Sequence, residues 1–188
     1  MSMVIDIFNT DKKYDIIYAD PPWSYRDKMK MKGVHGEIRG AASFYDTMDL
    51  SDIKSLPIKS IAKENSILFM WITMPMLDKA FQVMESWGFT YKTCGFCWIK
   101  RTKNGKIHLG LGHYTRGNAE LCLVGIMGKK PTFLTRSLSQ IVESEIRSHS
   151  QKPDIVRDKI VELVGDLPKI ELFARQQVEG WDCWGNEV

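Results

Sequence analysis

The strongest constraint on how this chain folds is the alternation of short, nearly unbroken apolar runs with helical stripes. Tyr14 to Ala19, Ile67 to Trp71, Phe96 to Ile99, Leu121 to Met127 and Ile170 to Phe173 are each too short for a helix and too uniformly apolar for a strand with one wet face. Between the second and third runs, Leu77, Ala80, Phe81, Met84 and Trp87 recur at helical spacing, and Gly88 stops the pattern. A second stripe of Ile155, Val156, Ile160, Leu163 and Val164 follows Pro153 and ends at Gly165. The Met and aromatic side chains of these stripes are expected in the core. Strands buried on both faces, with helices between them, call for an α/β sandwich whose mostly parallel central sheet carries helices on both faces. Thr90 to Ile99 and Glu120 to Met127 have no good helix between them, which predicts an antiparallel pair at one edge. With 188 residues, one domain spanning 1–188 is expected, because a second core would be cramped.

Composition excludes several classes. No apolar stretch approaches the roughly 18 residues of a membrane span, and Met1 to Thr10 lacks the basic, apolar and small-residue succession of a secretory leader, so a cytoplasmic protein is expected. Cys94, Cys97, Cys122 and Cys183 do not make a disulfide framework. Cys94 and Cys97 fall within one expected strand, where residues three apart face opposite sides, so they do not chelate one ion unless the strand bends. Buried thiols and no metal are the expectation.

The net charge of +3 becomes informative once it is divided along the chain. Segments 24–45, 100–118 and 129–150 together hold 14 Lys or Arg against 4 Asp or Glu, a net +10, which leaves −7 for the remainder. These are also the least regular parts of the chain. Basic loops on an acidic scaffold predict a polyanion-binding face, with nucleic acid as the partner.

Asp20-Pro21-Pro22-Trp23 closes the first apolar run and sets a carboxylate at a strand end, where open α/β sheets keep their chemistry. Two prolines supply no N–H, so the Asp20 and Pro21 carbonyls are expected to act as bare acceptors, with the Trp23 ring beside them. An acid, a carbonyl and an aromatic face suit a planar heterocycle bearing an NH2 group, such as adenine. A second constellation lies near the other end. Lys152 precedes the proline that starts a helix, a cation beside a helix N-terminus, and suits an amino-acid carboxylate. Glu171 lies in a strand, Arg175 just past it, and Asn186 in the closing segment; the Glu171 and Asn186 side chains suit ribose hydroxyls. Gly110-Leu111-Gly112 sits in a basic loop rather than at a strand-to-helix junction and reads as a flexible hinge, not a cofactor loop.

Taken in order, Tyr14-Asp-Ile-Ile-Tyr-Ala-Asp-Pro-Pro-Trp23, Asn118-Ala-Glu-Leu-Cys-Leu-Val-Gly125, Ser150-Gln-Lys-Pro153 and Ile170-Glu-Leu-Phe-Ala-Arg175, continuing to Trp181 and Gly185-Asn186, resemble the DPPW-type N(6)-adenine methyltransferases. This is the family of the seventy-kilodalton catalytic subunit of messenger-RNA adenosine methyltransferase, which has bacterial and phage members. The resemblance implies a Rossmann-like class I methyltransferase that carries S-adenosylmethionine and methylates the 6-amino nitrogen of adenine in DNA. RNA as substrate, or a catalytically silent nucleic-acid-binding subunit, are the alternatives, and a homodimer or partner subunit is compatible with all three. It further implies that Asp20 and Pro21, followed by Pro22, bind the target amino group and that Trp23 lines the base pocket. Lys152 would take the methionine carboxylate, Glu171, Arg175 and Asn186 would surround the ribose, and Asp6 with Ile7 would lie near the cofactor adenine. Tyr25, Phe44 and Tyr45 are available to stack a base that has left a duplex.

Overall fold

The computed structural model describes residues 2–24, 47–112, 114–148 and 150–188. Within them, the strands β1 (Tyr14–Ala19), β2 (Ala62–Ile72), β3 (Thr90–Arg101), β4 (Ala119–Met127), β5 (Ile141–Glu145), β6 (Lys169–Leu172) and β7 (Asp182–Trp184) form one sheet, ordered β5-β3-β4-β2-β1-β6-β7. Four neighbouring pairs are parallel, and β4 runs against both β2 and β3. The helices are α1 (Leu50–Ser55), α2 (Ile58–Ile61), α3 (Leu77–Ser86) and α4 (Ile155–Val164).

β1 can be apolar throughout because it pairs on both edges and is covered on both faces. Ile17 and Ala19 join a core shared with α1, α2 and α3, through Ile53, Ile58, Ile61, Val83 and Met84. Ile16 and Tyr18, pointing the other way, join a core closed by Val156, Ile160 and Val164 of α4. Helices therefore lie on both faces, as expected. α3 carries the chain from β2 to a parallel β3 and leaves a gap one strand wide, which β4 fills in the opposite direction.

That antiparallel pair is real, but it is not at the edge. β5 adds to β3 in parallel and forms the rim. No apolar run announces β5, because Ile141-Val-Glu-Ser-Glu145 buries only Val142, as befits a strand with one open side. The stripe of α3 also differs from expectation at one place. Phe81 is 38% exposed and meets the half-exposed Tyr91 ring edge to face, the centroids 4.8 Å apart.

β3 does bend. Its register shifts between Cys94 and Phe96, around Gly95, where a Cβ would approach Val124 Cγ2 to 2.6 Å. Cys94 then lies opposite Leu123 and Cys97 opposite Leu121, so both thiols share a face. Burial pushes both thiols above their ordinary range. Among the described residues no cluster of three or more His, Cys, Asp or Glu could hold a metal ion, and no helix is long and apolar enough to cross a membrane.

Candidate active site

β1 is the point where the sheet's connections diverge, to β2 on one side and β6 on the other, and its carboxyl end is the natural ligand crevice. Asp20 stands there, its N–H reaching the Leu172 carbonyl of β6 at 3.4 Å. Because β4 is antiparallel, its first turn of chain arrives at the same end and brings Glu120 with it. The loop before α4 adds Lys152. Lys152 Nζ lies 2.8 Å from Asp20 Oδ2 and 3.3 Å from Glu120 Oε2, and it donates to the Ser150 carbonyl at 3.1 Å. Ser150 aims that carbonyl from the left-handed region, with φ of 61°, a strained setting for a residue with a Cβ. Glu120 Oε1 in turn accepts from Lys100 Nζ at 2.5 Å. Two cations and two carboxylates therefore alternate, Lys100, Glu120, Lys152, Asp20, leading inward to the strand end.

The charges hold one another in place. Burial raises the Asp20 carboxyl above the usual carboxylate range; Lys152 pulls it down and Glu120 pushes it up. Burial opposes ionisation of Glu120, but Lys152 and Lys100 outweigh it and leave Glu120 below its usual range. Lys152 is penalised by burial as well, yet the two carboxylates raise its affinity for the proton. The ammonium also sits 5.8 Å from the centroid of the Trp71 ring, whose Nε1 donates to Tyr18 Oη at 2.7 Å.

A second buried pair lies behind the first. Arg157 grips Glu171 with two nitrogens, Nε to Oε2 at 2.6 Å and Nη2 to Oε1 at 2.7 Å, and gives Nη1 to Asp154 Oδ1 at 2.8 Å. Burial nevertheless lifts the Glu171 carboxyl above its ordinary value, against the pull of Arg157. Asp154, itself held down by Arg147 and Arg157, is the anion at the start of α4.

These groups border a cavity of about 240 Å³ that Asp20, Lys152, Glu171, Phe173, Arg175 and Glu187 help to line. Four residues singled out in the sequence, Asp20, Lys152, Glu171 and Arg175, are thus brought together. The others are not. Trp23 is buried in the core beneath α1 to α3, its Nε1 donating to the Trp71 carbonyl at 3.1 Å, because the turn tucks the ring under the sheet end. The Pro21 carbonyl is not bare: it accepts from Trp23 N–H at 2.8 Å and keeps one lone pair, while Pro22 O takes Met48 N–H at 3.0 Å. Ile7 is core, and the exposed Asp6 spends its carboxylate on Phe8 N–H and Asn9 Nδ2. Asn186 is exposed outside the cavity lining; its neighbour Glu187 reaches the cavity and meets Arg175 Nε at 2.9 Å.

Glu120 and Arg157 were not found by sequence reading. Each interrupts an apolar pattern, Glu120 at the head of β4 and Arg157 inside the α4 stripe, and a charge on a buried stripe is the signal that marks such residues.

The basic segments fare unequally. Residues 25–46, which include Tyr25, Phe44, Tyr45 and nearly all of segment 24–45, lie outside the described residues. Segment 129–150 contains β5. Segment 100–118 joins β3 to β4, and two of its glycines allow close approach of the chain: Gly110 N–H bonds Gly117 O at 2.9 Å, and a Cβ on Gly112 would fall 1.9 Å from Thr115 O.

The model of the MT-A70 family matches residues 14–187. The chain is 40% identical to the Type II methyltransferase M.MunI of Mycoplasma sp, over 94% of its own length and 78% of that protein. It is 28% identical to the N(6)-adenosine-methyltransferase MT-A70-like protein of Drosophila melanogaster and 27% identical to the N(6)-adenosine-methyltransferase catalytic subunit METTL3 of Homo sapiens. In those two alignments 94% of the chain covers only 27% and 28% of the relatives' lengths.

Proposed function

This chain belongs to the MT-A70 family, and on that premise we propose that it is an N(6)-adenine methyltransferase acting on DNA, built as one Rossmann-like catalytic domain. The observation that carries the reading is the Asp20 carboxylate, held at the end of β1 by Lys152 at 2.8 Å and facing a polar cavity. Likeness to a Type II methyltransferase along most of its length supports DNA over RNA.

The cavity's donors suit S-adenosylmethionine. An ammonium and a guanidinium, Lys152 and Arg175, stand beside the carboxylates of Asp20 and Glu187, as a zwitterionic amino acid joined to a sugar requires. Lys152 and Arg175 would hold the carboxylate end and Glu187 would take ribose hydroxyls, with Asn186 next to it in the chain. When bound, this cofactor supplies an electrophilic methyl group.

The protein's own task is to make a poor nucleophile reactive. The lone pair of the adenine amino group is delocalised into the ring, so the nitrogen attacks only as it becomes pyramidal and positive. Asp20 and the remaining lone pair of the Pro21 carbonyl accept its two hydrogens and favour that charge as it develops. Lys152 and Glu120 fix the carboxylate so that no reorganisation is needed at the moment of reaction. Asp20 need not be a strong base, because the aminium product is acidic. The test is to incubate the protein with labelled S-adenosylmethionine and genomic DNA, or total RNA, and digest to nucleosides. Label in N(6)-methyldeoxyadenosine is expected; label confined to the RNA digest, or none in either, defeats the proposal.

A further inference from the structure

We propose that the hairpin between β3 and β4, described over residues 102–112 and 114–118, is the wedge that enters duplex DNA and fills the space left when the target adenine leaves the stack. This rests on the DNA reading above. Four observations lead to it. The first is composition: segment 100–118 holds 5 Lys or Arg and no Asp or Glu, yet carries Ile107, Leu109, Leu111 and Tyr114. The second is exposure. Against the described residues, Leu109 is 59%, Leu111 69% and Tyr114 101% exposed. Several large apolar side chains exposed along one short loop and rimmed by cations are the kind of surface that marks an interaction site.

The third is rigidity. Gly110 bonds to Gly117 across the hairpin, Arg116 Nη2 reaches the Leu109 carbonyl at 3.4 Å, and a Cβ on Gly110 would meet Gly117 O at 2.4 Å. The two limbs touch backbone to backbone, which makes a thin blade whose entropy is already spent before binding. The fourth is position. Asn118 is two residues from Glu120, and Glu120 touches Lys152, which holds Asp20. The blade thus rises from the same end of the sheet as the catalytic carboxylate.

The charge pattern selects the occupant. Lys103, Lys106 and Arg116 are exposed around an apolar tip, which matches a surface that is anionic at its rim and aromatic within. Duplex DNA has that order, phosphates outside and stacked bases inside, and apolar wedges commonly part its base steps. Leu111 and Tyr114 are assigned to the gap, and the cations to the phosphates on either side.

The experiment uses a duplex oligonucleotide carrying the site that the wild-type enzyme methylates, as mapped on genomic DNA. One version has a normally paired target adenine, a second places it opposite an abasic site, and a third replaces it with 2-aminopurine. Leu111→Ala and Tyr114→Ala are expected to lower kcat/KM on the paired duplex by about tenfold or more, since unstacking costs a few kcal/mol. Activity on the abasic duplex should be retained, and the 2-aminopurine fluorescence rise on binding should be lost. Equal losses on the paired and abasic duplexes, or no loss on either, would overturn the wedge alone. Absence of transfer to any DNA by the wild-type protein would instead overturn the substrate reading on which it stands.

Discussion

The two faces of the sheet are made from the same strands yet bury different things. Beneath α1 to α3 the core is hydrocarbon, with Ile17, Ala19, Leu68 and Met70 meeting Ile53, Ile58 and Ile61. Its indoles are satisfied by backbone, Trp23 on the Trp71 carbonyl and Trp87 on the Ile53 carbonyl. On the α4 face each of four core rings carries a cation: Lys100 over Trp98, Lys152 over Trp71, Arg157 over Tyr18 and Lys169 over Trp181, at 5.1 to 5.8 Å. The difference teaches how a small sheet can keep charge at its end without unfolding. Rings and carboxylates together offset the desolvation that a purely aliphatic layer would impose. The proposed chemistry sits on the face that can tolerate it.

If that contrast is right, the largest effect on function should follow from the terminal member of the charged face. Asp20→Asn keeps the shape and removes the anion proposed to meet the positive nitrogen. Turnover is expected to fall by roughly 10³, the scale of losing a dedicated electrostatic contact, while calorimetry should still detect cofactor binding. Substantial residual turnover would remove Asp20 from the mechanism.

Arg157→Met should cost the most stability, about 3–5 kcal/mol, because it strands the buried Glu171 carboxylate. Glu171 already has a raised folded-state affinity for protons, and losing Arg157 raises it further. A carboxyl with a raised folded value favours folding at low pH and loses that advantage as pH rises through it, so the deficit should shrink on acidification. Urea denaturation at neutral and mildly acidic pH checks this. Adding Glu171→Leu should restore most of the stability.

A smaller effect separates Lys152 from Glu120, and it has opposite signs. Activity should fall on the acid side as Asp20 takes up a proton, at a pH above the ordinary aspartate range because burial holds the group up. Lys152→Gln removes the cation that pulls Asp20 down and should move this limb to higher pH. Glu120→Gln removes the neighbouring anion and should move it lower. A merely structural role for Glu120 would leave the limb unmoved.

The same contrast explains what sequence could reveal. β1, the middle of β2, β4 and β6 were legible because two buried faces write a nearly unbroken apolar run. β5 and β7 were not, since an edge strand of five residues or a strand of three leaves too little periodicity. α1 and α2, of six and four residues, fall below one full amphipathic repeat. Asp20, Lys152, Glu171 and Arg175 were legible because each stands beside a strand end or a helix start. Glu120 was not, because its nearness to Asp20 depends on β4 running antiparallel beside β2, a fact of pairing that no local pattern records. Asp6 and Ile7 came with the family resemblance and Asn186 from its place in the closing segment, and the fold leaves all three outside the cavity lining.

The smallest expected effect belongs to an ion pair of the same chemical type as the most costly one. Arg101 Nη2 and Glu143 Oε1 lie 2.7 Å apart across β3 and β5, almost the distance of Arg157 to Glu171, but their side chains are 28% and 52% exposed rather than 9% and 10%. Water already solvates both members, so removing Arg101 leaves Glu143 hydrated instead of stranded. Arg101→Gln should therefore change unfolding stability by less than about 1 kcal/mol, and added salt should erase even that. Should the two arginine substitutions destabilise the protein equally, distance rather than burial would govern its ion pairs, and the contrast between the two faces would lose its cause.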